Sequence, residues 1–210
     1  MSELSWLLGR DYAIDSALKL VGDRYQLVER QRVAVRRAAA SDGAVNLRRS
    51  REVSLESTGG RLTIDGFNLI VTIEAALSGG VLLICRDGAV RDLASMHGSY
   101  RKVDETTEAV ECIAAALDAV TELHVLWLLD SPVSNSGRLA AIVRNFASEN
   151  GLRWEVELVH DTDARLIDSP YAVATSDSNV LDGASNWVNL AAGVIRALPC
   201  TPWMVDLHTE

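Results

Sequence analysis

Arg61-Leu62-Thr63-Ile64-Asp65-Gly66-Phe67-Asn68-Leu69-Ile70-Val71 decides the fold. Its first half is a short apolar run of the kind that forms a buried strand. The run stops at a carboxylate, turns on Gly66 and enters a helix at Asn68. In α/β proteins ligands bind outside the carboxyl ends of parallel strands, so chemistry is expected where this run ends. Two later stretches end in the same way. One is Trp127-Leu128-Leu129-Asp130, followed by Ser131-Pro132-Val133-Ser134-Asn135-Ser136-Gly137. The other is Val173-Ala174-Thr175-Ser176-Asp177, followed by Ser178-Asn179-Val180-Leu181-Asp182. In each, a β run delivers an aspartate to a turn of Gly, Ser, Asn or Pro.

Outward from this stretch the pattern divides the chain. Residues 1–58 read as a helical, arginine-rich region, 61–198 as an α/β domain and 199–210 as a tail that packs back through Trp203 and Val205. Within 11–40, Tyr12, Ala13, Ala17, Leu20 and Val21 recur at helical spacing, with a break at Gly22-Asp23. Residues 45–55 alternate and read as a short hairpin or extended arm. Ser57-Thr58-Gly59-Gly60 is the boundary. Strands are predicted at 62–64, 81–85, 124–129, 154–159 and 171–175, and helices at 69–77, 106–120, 137–149 and 186–198. The strands are short and apolar, as strands covered on both faces are. The predicted class is therefore α/β: a three-layer, mainly parallel sheet preceded by a small helical region.

Apolar residues make up 48% of the chain, ample for a core, and no apolar run reaches 18 residues, so no membrane span is expected. The N-terminus does not read as a secretory signal, and the expected compartment is the cytoplasm. Cys85, Cys112 and Cys200 are odd in number and form no C-x-x-C, against disulfides and a thiolate zinc site. The net charge of −9 is uneven: residues 1–60 carry +2 and residues 61–210 carry −11. A basic N-terminal part beside an acidic body fits an anionic partner held near a metal-loving site. The same arginines also fit a plain solvated helix.

Asp65, Asp130 and Asp177 are the expected catalytic and metal-holding residues, with Asp182 as a fourth ligand. Converging carboxylates suit a hard cation, Mg²⁺ or Mn²⁺, which takes oxygen ligands and completes its shell with water and phosphate oxygens. Without a cation, crowded like charges push one carboxyl to titrate high. Each aspartate also has an ordinary reading, as the cap of the helix that follows it. Asn68 and Asn179 orient water or the carboxylates, or serve as caps. The loop holding Ser134 and Ser136 opens a helix, and reads either as an ordinary serine-rich capping loop or as a site whose free N–H groups favour a phosphate. Cys85-Arg86-Asp87-Gly88 reads as a structural turn. Met96-His97-Gly98-Ser99-Tyr100-Arg101 reads as a loop able to close over a ligand through His97 and Arg101.

Ile64-Asp65-Gly66-Phe67-Asn68 near the start of the α/β part and Thr175-Ser176-Asp177-Ser178-Asn179 near its end resemble the PIN/NYN-like nuclease superfamily. Its middle acid would match Asp130. The resemblance covers roughly 61–190 and implies metal-dependent phosphodiester hydrolysis of nucleic acid, RNA ahead of DNA. It also implies pairing into a homodimer. Arg36, Arg37, Arg48, Arg49 and Arg51 would hold the nucleic-acid backbone through salt-sensitive contacts. One departure is Asn179, where the family carries a second acid, a role that would fall to Asp182 or Asp163. A catalytically weak nucleic-acid-binding or regulatory module of the same fold is the alternative. His160-Asp161-Thr162-Asp163 after a strand also resembles the Toprim Asp-x-Asp, with Asp65 in place of that family's glutamate. The whole chain resembles an uncharacterised prokaryotic family known only as a domain of unknown function, which implies no activity.

Overall fold

At Gly59 and Gly60, both with positive φ, the chain passes from helices alone to strands alternating with helices. The computed structural model describes residues 1–93 and 103–208. The first part holds α1 (Ser2–Leu8), α2 (Ile14–Arg24), α3 (Glu29–Ala38), α4 (Asp42–Arg51) and a 3-10 turn at Leu55–Thr58. Then come β1 (Arg61–Asp65), α5 (Gly66–Leu77), β2 (Val81–Ile84), β3 (Val90–Asp92), α6 (Val103–Leu117), β4 (His124–Asp130) and α7 (Ser136–Glu149). The chain continues through β5 (Trp154–Val159), α8 (Thr162–Ile167), β6 (Ala172–Ala174), α9 (Ser178–Gly183), β7 (Trp187–Val188), α10 (Leu190–Ala197) and β8 (Trp203–Asp206).

The main sheet has the order β5-β4-β1-β6-β7, and every neighbouring pair is parallel. Side chains of a strand alternate between faces, and the two faces bury different sets. Leu62, Ile64, Val125, Trp127 and Leu129 join Ile70, Ile73, Val110, Ile113, Val143 and Ile195 of α5, α6, α7 and α10 in one core. Leu128, Val173 and Trp187 face the other way, onto Leu166, Val180 and Leu181 of α8 and α9. Two covered faces explain why β1, β4 and β6 read as continuous apolar runs. At the edge, β5 exposes Glu155, Glu157 and Leu158, so it is not covered on both faces as expected. Charged edge positions oppose strand-to-strand association.

Three expectations are corrected. The strand at 81–85 leaves the main sheet: β2 pairs parallel with β8 and antiparallel with β3 in a second, three-stranded sheet. The tail packs back as expected, and it does so as a strand. Residues 45–55 form most of α4 instead of an arm, because Ser41 accepts from Ala44 N at 3.1 Å as an N-cap and Val45 and Arg48 are buried. In α2 the buried face is Ala17, Leu18 and Val21, while Tyr12 and Leu20 are exposed. That face packs on Leu4 and Leu7 of α1. The loop carrying His97 and Arg101 lies outside the described residues.

Gly66 serves closeness, not a turn. Helix α5 starts at Gly66 itself, directly after the strand, and a Cβ there would come within 2.4 Å of Leu129 Cδ2 and 3.1 Å of Leu128 O. The glycine lets the helix start against β4 and keeps Asp65 at the sheet's rim.

Candidate functional site

β4 and β5 lie to one side of β1, and β6 and β7 to the other. The chain reverses direction across the sheet between β1 and β6, where an α/β sheet opens its ligand crevice. Register sets the acids there: Ile64 pairs with Ala174, and Asp65 with Leu128. Asp65 ends β1, Asp130 ends β4 two residues past Leu128, and Asp177 stands three residues past Ala174. Each of the three belongs to a neighbouring strand.

Asp65 is 6% exposed. Its carboxylate accepts from Thr175 Oγ1 at 2.8 Å and, as the N-cap of α5, from Asn68 N at 3.4 Å. Burial first, and then the charges of Asp177 and Asp130, push its carboxyl up to about 7 against the pull of these hydrogen bonds. Asp130 accepts from Thr162 Oγ1 at 2.7 Å. Asp177 caps α9, accepting from Asn179 N at 2.8 Å and Val180 N at 3.4 Å. Asp163, exposed in the first turn of α8, is raised by partial burial and then by Asp177, Asp130 and Asp161. Four carboxyls thus share one electrostatic neighbourhood. None of them is in a salt bridge among the described residues.

Two further residues tie the strand ends together. Asn68 Oδ1 accepts from Ser176 N at 2.8 Å and Ser176 Oγ at 2.9 Å. Thr175 Oγ1 accepts from Asp177 N at 3.0 Å while its hydroxyl donates to Asp65. Asn68 is therefore a link across the crevice. Thr175 and Ser176 belong to the motif around Asp177, but the sequence does not single them out as links to Asp65 and Asn68.

Other expected site residues go elsewhere. Asp182 faces Arg48, which donates to both of its oxygens at 2.7 and 2.8 Å, so it is no fourth member of the acid pocket. Asn179 is exposed and contributes its backbone N–H to Asp177. Asp161 caps α8 through Ala164 N at 3.0 Å, while Asp163 is raised in part by Asp177 and Asp130. Ser134 is exposed, and Ser136 is buried and donates to Ser131 O at 3.3 Å, closing its own loop.

The arginines form no free basic arm. Arg48 is 4% exposed, because its charge is matched by Asp87 and Asp182, and so is no nucleic-acid contact. Arg36 pairs with Asp15 and Arg37 with Asp92. Arg49 lies 3.0 Å from His208 Nε2, and Arg51 donates to Asp182 O at 2.8 Å. Asp87, read as a turn residue, does accept from Ala89 N, but its carboxylate is also the buried partner of two arginines.

The donor set fits a hard cation in its chemistry: all carboxyl oxygen, with no salt bridge among the described residues. Ser131 Oγ, next to Asp130, is buried without a partner. Among the described residues, no three His, Cys, Asp or Glu side chains stand ready to share one ion. A cation here would therefore rely on one or two carboxylates plus water and substrate oxygens, the Mg²⁺ habit. Two grooves of about 310 Å³ lie elsewhere, one among α2 and α3 and one by Leu123, Gly151 and Trp154. The second sits at the amino ends of β4 and β5, opposite the end where such sheets place ligands.

The family "Domain of unknown function (DUF5616)" matches residues 55–193, and the chain belongs to that family. Residues 1–51 match "Protein of unknown function (DUF434)". Over 199 residues the chain is 29% identical to the uncharacterised protein MJ0935 of Methanocaldococcus jannaschii, covering 93% of this chain and 95% of that one. No solved structure matches the chain. No helix among the described residues is long and apolar enough to cross a membrane.

Proposed function

We propose that this protein is a divalent-cation-dependent phosphodiesterase acting on nucleic acid through the pocket of Asp65, Asp130 and Asp177. The observation that carries the proposal is the convergence of these carboxylates, with Asp163, at the reversal point of the sheet, with no salt bridge to any of them among the described residues. The preference for RNA over DNA rests on the resemblance of the Asp65 and Asp177 motifs to PIN/NYN-like nucleases. Asp163 supplies a negative charge where Asn179 lacks one.

Asp130 and Asp177, both half-buried, offer oxygens from the rim, with Asp65 beneath them. A bound Mg²⁺ or Mn²⁺ would supply charge on a phosphoryl oxygen and lower the pKa of a water toward neutrality. Thr175 and Asn68 fix the Asp65 carboxyl. Its elevated pKa lets it hold a proton when the pocket is empty of cations and release it when one arrives.

Labelled RNA and DNA panels incubated with Mg²⁺ or Mn²⁺ test the proposal. Cleavage is expected, and Asp65→Asn is expected to reduce it on the order of 100-fold or more. Panels left intact by the wild type would rule out the nuclease. The second reading, a binding module without effective catalysis, is favoured by Asn179 and by the absence of three ready ligands among the described residues. It expects RNA retention without cleavage.

A further inference from the structure

The residues on either side of Asp177 have their carbonyls held by two buried guanidinium groups. Arg91 Nε donates to Ser176 O at 2.6 Å, and Arg48 Nη2 to Ser178 O at 3.3 Å. Asp87, 1% exposed, joins the two: Arg91 donates to both of its oxygens at 2.9 and 2.7 Å, and Arg48 to one at 2.7 Å. Arg91 also reaches Arg37 O at 3.3 Å, and Arg48 forks onto Asp182. The charges come from four places: Arg48 from α4, Asp87 from the turn between β2 and β3, Arg91 from β3 and Asp182 from α9. On its other side the same loop bonds Asn68 through Ser176 and Asp65 through Thr175.

Stability alone is a poor reason for this cluster, since apolar packing of the same volume is often as stable as a buried ion pair. A guanidinium locked by a fork onto a carboxylate does something apolar packing does not: it aims a further N–H in a fixed direction, here one from Arg91 at Ser176 O and one from Arg48 at Ser178 O. These two contacts bracket Asp177, the carboxylate that the loop brings to the acid pocket.

We infer that Arg91 and Arg48, tied by Asp87, are positioning residues that hold the 176–178 loop so that Asp177 is presented beside Asp65. This rests on the proposed metal centre and extends it: the second sheet and the N-terminal helices become its rear wall. Arg48 lies in the stretch 1–51, while Asp87, Arg91 and Asp177 lie within 55–193. The two parts of the chain then build one site.

The test is Mn²⁺ titration of the full chain by calorimetry, with thermal melting alongside. The wild type is expected to bind Mn²⁺, and Arg91→Met to bind about tenfold or more weakly. Arg91→Lys keeps a charge for Asp87 but lacks the fork, and is expected not to restore affinity. Arg91→Met combined with Asp177→Asn is expected to bind no more weakly than Asp177→Asn alone, because the arginine acts through that aspartate. Leu18→Ala, which destabilises the separate core of α1 and α2, is expected to lower the melting temperature and leave affinity unchanged. If Arg91→Met does not fold, Arg91→Lys carries the test. Wild-type binding with both Arg91 variants unaffected, or losses that simply add, overturns the positioning role alone. A wild type that ignores Mn²⁺ overturns the centre and this role with it.

Discussion

Two clusters of charge, each with a buried centre, lie back to back on the 175–182 segment, and they are built on opposite plans. Behind it, Arg48, Arg91, Asp87 and Asp182 alternate in sign, and the buried members are bonded to their neighbours. In front, Asp65, Asp130, Asp163 and Asp177 carry one sign and no salt bridge among the described residues. Taking a charge out of water is expensive unless it is matched. The rear cluster meets that requirement with its own residues, holding Asp87 below the usual carboxylate range despite its burial. The front cluster meets it only by lifting Asp65 to about 7. A finished cluster of this kind supports structure, while an unfinished one is suited to receive a counter-charge from outside.

The sharpest way to break the contrast is to unbalance the rear cluster. Asp87→Ala leaves two buried guanidinium groups without their shared carboxylate and is expected to destabilise the fold by about 3–5 kcal/mol, read by urea unfolding. A loss below about 1 kcal/mol would mean the arginines find water or other partners, and the clusters would not differ as described.

The front cluster makes a pH prediction with a definite sign. Asp65 has a folded-state pKa of about 7 against an ordinary value of 3.8. The folded state therefore binds this proton more tightly than the unfolded chain does. The stabilisation is complete below about pH 4 and is lost as pH rises through about 7. Free of divalent cations, the wild type is expected to lose stability relative to Asp65→Asn by on the order of 2–4 kcal/mol between pH 4 and 8. Parallel stability curves for the two proteins would show that Asp65 is not held as described.

The smallest effect concerns the surface arginines. Arg49 is exposed and among the described residues its side chain meets only His208, so Arg49→Ala is expected to change stability by less than about 0.5 kcal/mol. A loss above about 1 kcal/mol in thermal or urea unfolding would tie the C-terminal strand to α4 more strongly than one exposed contact allows.

What the sequence shows plainly is what depends on local pattern. The central strands β1, β4 and β6 are legible because both of their faces are apolar, and the aspartates ending them are legible because each precedes a helix or turn. Their convergence follows from parallel order alone. The short strands β3, β7 and β8 stand outside any longer apolar run of the kind that surrounds β6, so their few side chains form no pattern. The rear cluster is illegible for a different reason: Arg48 meets Asp87 39 positions away and Asp182 134 positions away. In sequence, Arg48 is one more arginine in a basic run, and only packing separates it from exposed Arg49. Gly66 looked like a turn glycine, but the close approach of Leu129 determines it.

The most direct test is calorimetric titration of Mn²⁺ into the wild-type protein near pH 7, repeated in buffers of different ionisation enthalpy. One ion per chain is expected to bind, with about half a proton released as Asp65 is driven to its charged form; that release should vanish in Asp65→Asn. No binding at millimolar Mn²⁺, or binding with the same proton release in both proteins, would contradict a cation pocket centred on these aspartates.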